Sequence, residues 1–397
     1  MEAYNFDQII DRHNTPASKW NSQYLLSLFG SEDILPFWIA DMDFKSPPAL
    51  LRAIQKKSEF GILAYEYSTP EFYASLIKWI TEHHNYALQR EWILPSPSIG
   101  ASVGVVIKAL TSPGDGVIIQ PPVFMEYRNW IRNNDRRVVK NPLKKTADGY
   151  SIDWEDLELK CREPKNRALI LCNPHNPIGQ IWDSSTLEKI AMLCKINDVL
   201  LIADEVHGDI VYPGHSFKGV LSLPDELTEM VIATYSPVKT FNLGSFTDSF
   251  MFIPSPKIRA SLSDFMKGLS LGKTNGVVRA GLEAAFSESQ PWLEALIQYL
   301  SGNLDTIEKA LQEFHLPVSW KRPQASYQIW LDFSAANMEP KELHAFLCEK
   351  ARIGLNAGFW FSREGSGYAR MNIASPRSVI QEGMHRLKNA FKDMKAV

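Results

Sequence analysis

Four short apolar runs, at 116–120, 168–172, 199–203 and 230–234, lack the polar alternation of a half-exposed strand. That pattern predicts strands buried on both faces, as in a mostly parallel sheet covered by helices. Between two of them, Leu187, Ile190, Ala191 and Cys194 recur at i, i+3, i+4 and i+7, which predicts a crossover helix with Ser185 as N-cap and Glu188 completing a capping box. From Pro291 onward, Leu293, Leu296, Ile297, Leu300, Leu304, Ile307 and Leu311 form one long helical stripe. It is longer than a crossover helix needs to be, and so is expected to run from a large lobe into a second one. Beyond Pro317 come a strand-like run at 326–333, a helix opening near Pro340 and a Gly-rich stretch before Arg370, the pattern of a smaller α+β lobe. The first forty-odd residues show little periodicity and end in Pro47-Pro48. The expected organisation is an N-terminal segment, 1–48, packing on the small domain, a large domain at 49–288, and a small C-terminal domain at 289–397.

Composition narrows the function classes. The chain has 397 residues, enough for two or three lobes, with 42 Lys plus Arg against 45 Asp plus Glu. A net charge of −3 without basic blocks argues against a nucleic-acid or membrane-surface partner. The longest apolar runs fall far below the roughly 18 residues of a membrane span. Cys161, Cys172, Cys194 and Cys348 show no CxxC spacing, and Asp7, Asp11, Arg12 and Lys19 occupy the region where a secretory signal would be apolar. Both features point to a reducing, cytoplasmic setting and away from a metal site.

In parallel-sheet proteins the reactive groups gather beyond the carboxyl ends of the strands. Here those positions carry Asn173-Pro174-His175-Asn176, Asp204-Glu205-Val206-His207 and Tyr235-Ser236-Pro237-Val238-Lys239, while a turn of small residues, 96–102, precedes a helix. A lysine beyond one buried strand and a carboxylate at the end of its neighbour are what pyridoxal 5′-phosphate (PLP) requires. The lysine makes the imine, and the carboxylate keeps the ring nitrogen protonated so that the ring accepts electrons. The turn before the helix offers N–H groups to a phosphate, and an asparagine can donate to the ring's phenolic oxygen. Taken singly, each has an ordinary explanation: a solvated lysine, a helix-capping Asp, a turn Asn, a core His207. Their order and placement together favour the cofactor.

With these residues in view, the chain resembles fold-type I PLP enzymes, specifically cystathionine β-lyases of the MalY/PatB type. The resemblance runs from about Tyr4 to near residue 390 through Asn5-Phe6-Asp7, Ile10-Asp11-Arg12, Trp38-Ile39-Ala40-Asp41-Met42-Asp43-Phe44, Gln120-Pro121-Pro122-Val123, Cys172-Asn173-Pro174-His175-Asn176-Pro177, Asp204-Glu205-Val206-His207, Lys239-Thr240-Phe241-Asn242, Ser326-Tyr327, Ile329 to Phe333 and Arg370-Met371-Asn372. It implies an α/β fold, a large domain with a mostly parallel seven-stranded sheet between helices plus a smaller α+β domain. It further implies Lys239 as imine lysine and general base, Asp204 as partner of the pyridine nitrogen, and Asn176 as donor to the phenolic oxygen, with Ile99, Gly100 and Ser236 on the phosphate. Phe124 and His207 would border the cofactor, Ala40, Asn176 and Arg370 the amino-acid substrate. Arg370 suits the α-carboxylate because its planar fork matches two oxygens. Tyr65 would reach the site of the neighbouring subunit in a homodimer.

The chain also departs from this family. Ser98 replaces the usual Gly of the phosphate turn, Phe124 a tyrosine over the ring and Val238 a serine before the lysine. Gly244-Ser245-Phe246 replaces Ala-Gly-Leu, and Gly208 a serine after the histidine. The expected reaction is α,β-elimination of a thiol from cysteine S-conjugates or cystathionine, giving pyruvate and ammonia. Aminotransfer, a specialised elimination or oxidative deamination, and a scaffold that has lost catalysis are the alternatives.

Overall fold

A computed structural model describes residues 4–13, 15–272 and 275–395. The chain forms two compact units, one of residues 46–176 and 180–293, the other of 1–45, 177–179 and 294–397.

The larger unit is built on seven strands: β1 (Ile93–Ser96), β2 (Gly116–Ile119), β3 (Arg137–Lys140), β4 (Asn166–Cys172), β5 (Leu200–Asp204), β6 (Val231–Tyr235) and β7 (Ser249–Phe252). Their spatial order is β1-β7-β6-β5-β4-β2-β3. All neighbours are parallel except β7, which runs antiparallel to both β1 and β6. The expected seven-stranded, mostly parallel sheet is therefore present. Every residue of β2, β5 and β6 is buried, which is why these runs show no polar alternation. Val103, Val106, Ile119, Ile170, Ile202, Ile232 and Met251 belong to one contiguous core cluster.

The helices of this unit that bear on the site are α1 (Pro48–Phe60), α2 (Pro70–His84), α3 (Ile99–Leu110), α4 (Glu126–Arg132), α5 (Ser184–Ile196), α6 (Pro256–Gly268) and α7 (Gly276–Glu288). In α5 the periodic residues Leu187, Ile190, Ala191 and Cys194 are buried as expected. Its cap is Asp183, however, not Ser185. The Asp183 carboxylate accepts the Thr186 N–H at 2.7 Å and the Ser185 hydroxyl at 2.8 Å. An anion is the better acceptor at the positive end of a helix, and Ser185 is left inside the first turn.

The C-terminal end of α2 is fastened to the strand ends through a fully buried charge cluster. His84 donates from Nδ1 to Glu205 and from Nε2 to Asp209, each at 3.0 Å. Asp209 Oδ2 also accepts from Trp79 Nε1 (3.0 Å), the Tyr235 hydroxyl (2.8 Å) and the Thr240 hydroxyl (2.7 Å). Burial alone would lower the His84 pKa, but the bonds and charges of Asp209 and Glu205 outweigh it and raise it to about 9. Asp209 is held below the usual carboxylate range, burial being overcome by His84.

In the smaller unit, β8 (Ser319–Trp320), β9 (Gln328–Asp332), β10 (Asn356–Ala357) and β11 (Tyr368–Asn372) form an antiparallel sheet in the order β8-β9-β11-β10. The predicted long stripe is one helix, α8 (Gln290–Glu313), with Leu293, Leu296, Leu300, Leu304 and Ile307 buried. The division between the units falls in its first turn. A last helix, α9 (Arg377–Lys395), follows β11. The N-terminal segment holds a helix that its weak periodicity conceals, Ser22–Phe29, capped by Asn21 accepting the Tyr24 N–H and closed by Gly30 at φ 75°. Leu35–Pro36 then pairs in parallel with Ile353–Gly354. Among the described residues no helix is long and apolar enough to cross a membrane.

The His84 cluster sets a pH dependence of stability. The pKa of His84 is about 9 in the folded chain and 6.5 in the reference state, so the folded chain holds the extra proton between those values. Its stabilisation is complete below pH 6.5 and is lost as pH rises through about 9. Urea unfolding at pH 6, 8 and 9.5 should show a decline of up to roughly 3 kcal/mol. His84→Gln should be less stable at pH 6 and should flatten the decline; an equal slope in both proteins would show that His84 is not held charged.

Candidate active site

The site in the larger unit is assembled at the carboxyl ends of β4, β5 and β6. Asp204 is the last residue of β5 and pairs in register with Cys172 of β4 and Thr234 of β6. It is 4% exposed. The Tyr127 hydroxyl of α4 donates to its Oδ2 at 2.6 Å, and the Val206 N–H to its Oδ1 at 3.2 Å. Burial nevertheless pushes the carboxyl up to about 6, against the pull of the Tyr127 bond, the Val206 N–H and the positive charge of Lys239. A dry carboxylate of this kind is stabilised by a cation placed directly on it, which a protonated ring nitrogen would be.

Lys239 lies four residues beyond β6 in a helical turn closed by Phe241 N–H to Pro237 O and Leu243 N–H to Val238 O. The turn ends at Asn242, whose φ of 57° is left-handed, a conformation asparagine tolerates better than most residues. Its carbonyl accepts the Ser46 hydroxyl at 3.1 Å, and Thr240, next to the lysine, is tied to Asp209 as described above. The lysine is thus half-buried on a turn anchored on both sides.

On the other flank, the Ser98 side chain caps α3 by accepting the Ala101 N–H at 3.1 Å. The replacement of glycine by Ser98 thus supplies a helix cap. The chain approaches closely at Gly100, where a Cβ would stand 2.8 Å from Trp130 Cζ2. The N–H groups of Ile99 and Gly100, in the first turn of α3, are the kind of donors a phosphate uses. Ser236 is buried, and its hydroxyl donates to Asp248 O at 2.7 Å. Asn176 is buried, its own N–H donating to Cys172 Sγ at 3.3 Å. Phe124 is half-buried and packs edge-on against Tyr127, 5.6 Å between ring centres, so it supports the residue that holds Asp204. His207 is buried one turn past Asp204. Gly208 has a steric reason: a Cβ there would lie 2.6 Å from Phe217 and 2.9 Å from His84. The larger unit thus gathers Lys239, Asp204, Asn176, Ser236, Ile99, Gly100, Phe124 and His207 around its strand ends.

Arg370 and Ala40 belong to the smaller unit. Arg370, on β11, donates from Nη2 to Trp38 O (2.9 Å) and Asn356 Oδ1 (2.6 Å), and its guanidinium carbon stands 5.1 Å from the Phe361 ring centre. Burial lowers its pKa to about 10, still well above neutrality. The stretch carrying Ala40 is pinned by Asn372 Nδ2 donating to Ile39 O and Asp41 O, and by the Tyr327 hydroxyl donating to Ala40 O. Tyr65, in the segment between α1 and α2, is fully exposed.

This layout can be compared with known proteins. The family model for aminotransferase class I and II matches residues 32–387. The chain belongs to the aminotransferase class I and II family. Cystathionine beta-lyase PatB of Bacillus subtilis is 34% identical over 387 residues, covering 98% of this chain and all of PatB. Protein MalY of Escherichia coli is 30% identical, covering 98% of this chain and 99% of MalY. Among solved structures, cystalysin from Treponema denticola, which contains a pyridoxal 5′-phosphate cofactor, superposes with a TM-score of 0.94 at 30% identity, covering 99% of this chain and all of that one.

In each unit of this aminotransferase-family chain, side chains that sequence alone does not single out hold the candidate residues in place. Tyr127 lies three residues after Phe124, one helical turn away, and that spacing was the available signal. Asp43 lies in the Trp38–Phe44 stretch, and its structural part is visible only in three dimensions. It accepts from Lys19 Nζ (2.7 Å), Arg12 Nη1 (2.7 Å), Trp20 Nε1 (3.0 Å) and the Ser375 hydroxyl (2.7 Å). Burial would raise Asp43, but Lys19 above all holds it below the usual carboxylate range. Arg12 also pairs with Asp41 at 2.6 Å. Together these bonds fix the segment 38–43 that Arg370 and Asn372 grip from the other side.

Lys19 is wholly buried. Lys19→Met should therefore destabilise the chain by about 3 kcal/mol in urea unfolding, because Asp43 then loses its wholly buried cation and keeps only Arg12 as a charged partner. Adding Asp43→Asn should restore part of the loss; a single variant of wild-type stability would show that the pair is immaterial.

Proposed function

We propose that this chain is a PLP-dependent carbon–sulfur β-lyase that eliminates a thiol from the β-carbon of cysteine S-conjugates or cystathionine. The observation that carries the reading is that Asp204 at the end of β5 pairs in register with Thr234 of β6, the strand beyond which Lys239 sits on its anchored turn, with a phosphate-type helix start following β1. Resemblance over nearly the full length to PatB, named a cystathionine beta-lyase, supports the choice of reaction.

Lys239 would hold the cofactor through Nζ, and Asp204 would fix a proton on the ring nitrogen. When bound, the cofactor's ring accepts the electron pair left on the substrate's Cα. Tyr127 would keep Asp204 aimed at the ring, Asn176 would donate to the phenolic oxygen, and Phe124 would offer an apolar face. Ile99, Gly100 and Ser236 would take the phosphate, with His207 bordering the cofactor. Arg370 would grip the substrate α-carboxylate, with the pinned main chain at Ala40 alongside. Lys239 Nζ would also be the base that removes the substrate's Cα proton. The Cβ–S bond then breaks toward the thiol, and water completes conversion of the remaining fragment to pyruvate and ammonia. Phe124 brings no hydroxyl to the ring, so proton movement falls to Lys239.

The same residues can serve aminotransfer, the reaction the family is named for. The two differ in products: elimination releases pyruvate, thiol and ammonia in equal amounts without any keto-acid acceptor. We also assign the working form as a cytoplasmic homodimer. All four cysteines are free and buried, in keeping with a reducing compartment. Exposed Phe60, Ile62, Leu63, Tyr65 and Tyr67 form an apolar stretch of the kind a second copy covers, with Tyr65 reaching the neighbouring site.

Incubation with a panel of cysteine S-conjugates should yield equimolar pyruvate and thiol; a strict need for a keto acid overturns elimination. Borohydride reduction should fix a pyridoxyl group on the peptide carrying Lys239, and Lys239→Ala should abolish both adduct and turnover; an adduct on another lysine refutes the site. Arg370→Lys should raise KM at least ~10-fold with the cofactor retained, because a point charge cannot make the two-point carboxylate contact. An unchanged KM would remove Arg370 from the substrate site.

A further inference from the structure

Beside the phosphate turn of the larger unit lies a cavity of about 160 Å³, bounded by Ser96 at the end of β1, Thr247 and Asp248 before β7, Ser270, the α7 cap Asn275 and Arg279 in α7. At about 30 Å³ per water molecule it has room for a phosphate-sized group. The Arg279 side chain is 9% exposed, and its Nη2 donates to Asp248 Oδ1 at 2.9 Å. The rings of Phe72 and Phe250 pack against the guanidinium, 4.5 and 4.9 Å from its central carbon. Its Nε and Nη1 are buried and have no hydrogen-bond partner among the described residues. A buried cation with idle donors on the wall of a cavity is an anion receptor waiting for its anion.

The neighbours say which anion. The residue that pairs with Arg279 also carries the carbonyl that Ser236 bonds, so Arg279 and Ser236 converge on Asp248. Ser249, next in the chain, donates to Ser96 O (3.1 Å) and bonds the Ser102 hydroxyl of α3 (3.2 Å). The cavity is therefore built on the same strand ends that present the first turn of α3 and Ser236. Those two contribute neutral donors and a helix dipole, whereas a phosphate carries one to two negative charges.

We propose that Arg279 is a ligand of the cofactor's phosphate, its Nε and Nη1 supplying the positive charge of a subsite whose neutral donors are the start of α3 and the Ser236 hydroxyl, turned from Asp248 O to the phosphate. The assignment rests on the cofactor reading above and adds to it a residue 40 positions beyond Lys239 in the chain. Asp248 is suited to the exchange. Burial pushes its carboxyl up to about 7 despite Arg279. It therefore takes up a proton readily when a second anion arrives, and the guanidinium's charge passes to the phosphate.

The test is titration of the full-length apoenzyme with PLP and with pyridoxal, which lacks the phosphate, following cofactor absorbance. Arg279→Met should weaken PLP ~30- to 100-fold while pyridoxal changes less than ~3-fold, in line with loss of a charge-assisted pair. Arg279→Lys should fall between. Inorganic phosphate should compete with PLP in the wild type and much less in Arg279→Met. Asp248→Asn guards against a folding defect, because it leaves the arginine in place and removes its competitor. PLP should then bind tighter, whereas a purely structural ion pair would make it bind more weakly. Parallel losses for PLP and pyridoxal, no loss, or weaker PLP binding in Asp248→Asn each overturn the assignment while leaving the cofactor reading intact. A wild type that takes up no PLP overturns both.

Discussion

A carboxylate sealed from water must be surrounded by donors, or it takes up a proton. Asp204 is caught between these outcomes: Tyr127 and Val206 satisfy part of it, and burial still pulls it toward the neutral acid. Much of the larger unit serves this position. The parallel register sets Asp204 between Cys172 and Thr234, α4 delivers Tyr127, and the packing of Phe124 and Trp130 around that tyrosine keeps it there. A site of this kind is completed by the cation it was built to receive, so cofactor binding and local stability are coupled.

Two other buried carboxylates fill the opposite role, as fully satisfied anchors. Asp209 gathers His84, Trp79, Tyr235 and Thr240, and so ties the lysine-bearing turn to α2. Asp43 gathers Lys19, Arg12, Trp20 and Ser375 and fixes the stretch that frames Arg370. Each unit therefore carries one ionic hub beneath its share of the chemistry. Because removing one partner leaves a stranded charge, such hubs enforce geometry more than they add net stability.

The strands and the order of the reactive residues were legible because fully buried strands leave an unbroken apolar signature and the chemistry lies at their ends. Asp204, Lys239 and Asn176 could be placed at those strand ends this way. The cap of α5 was misplaced by two residues because Asp183 and Ser185 are both good caps and only geometry separates them. The helix Ser22–Phe29 was missed because eight residues hold barely two turns of periodicity. Asp209 and Arg279 escape for another reason: partners of theirs lie 31 residues away in the chain, in contacts that no local pattern encodes, and for Tyr127 the spacing from Phe124 gives its place but not its partner, 77 residues on. Gly208, legible only as a departure, became intelligible once His84 and Phe217 were seen to fill the space of its missing side chain.

Cys172 gives the site a chemical immunity. Its sulfur donates toward Pro174 O and accepts the Asn176 N–H, while burial and the neighbouring Asp204 charge push the thiol up to about 12. Disulfide exchange and alkylation proceed through the thiolate. The sulfur beside Asp204 is thereby kept in its unreactive, protonated form.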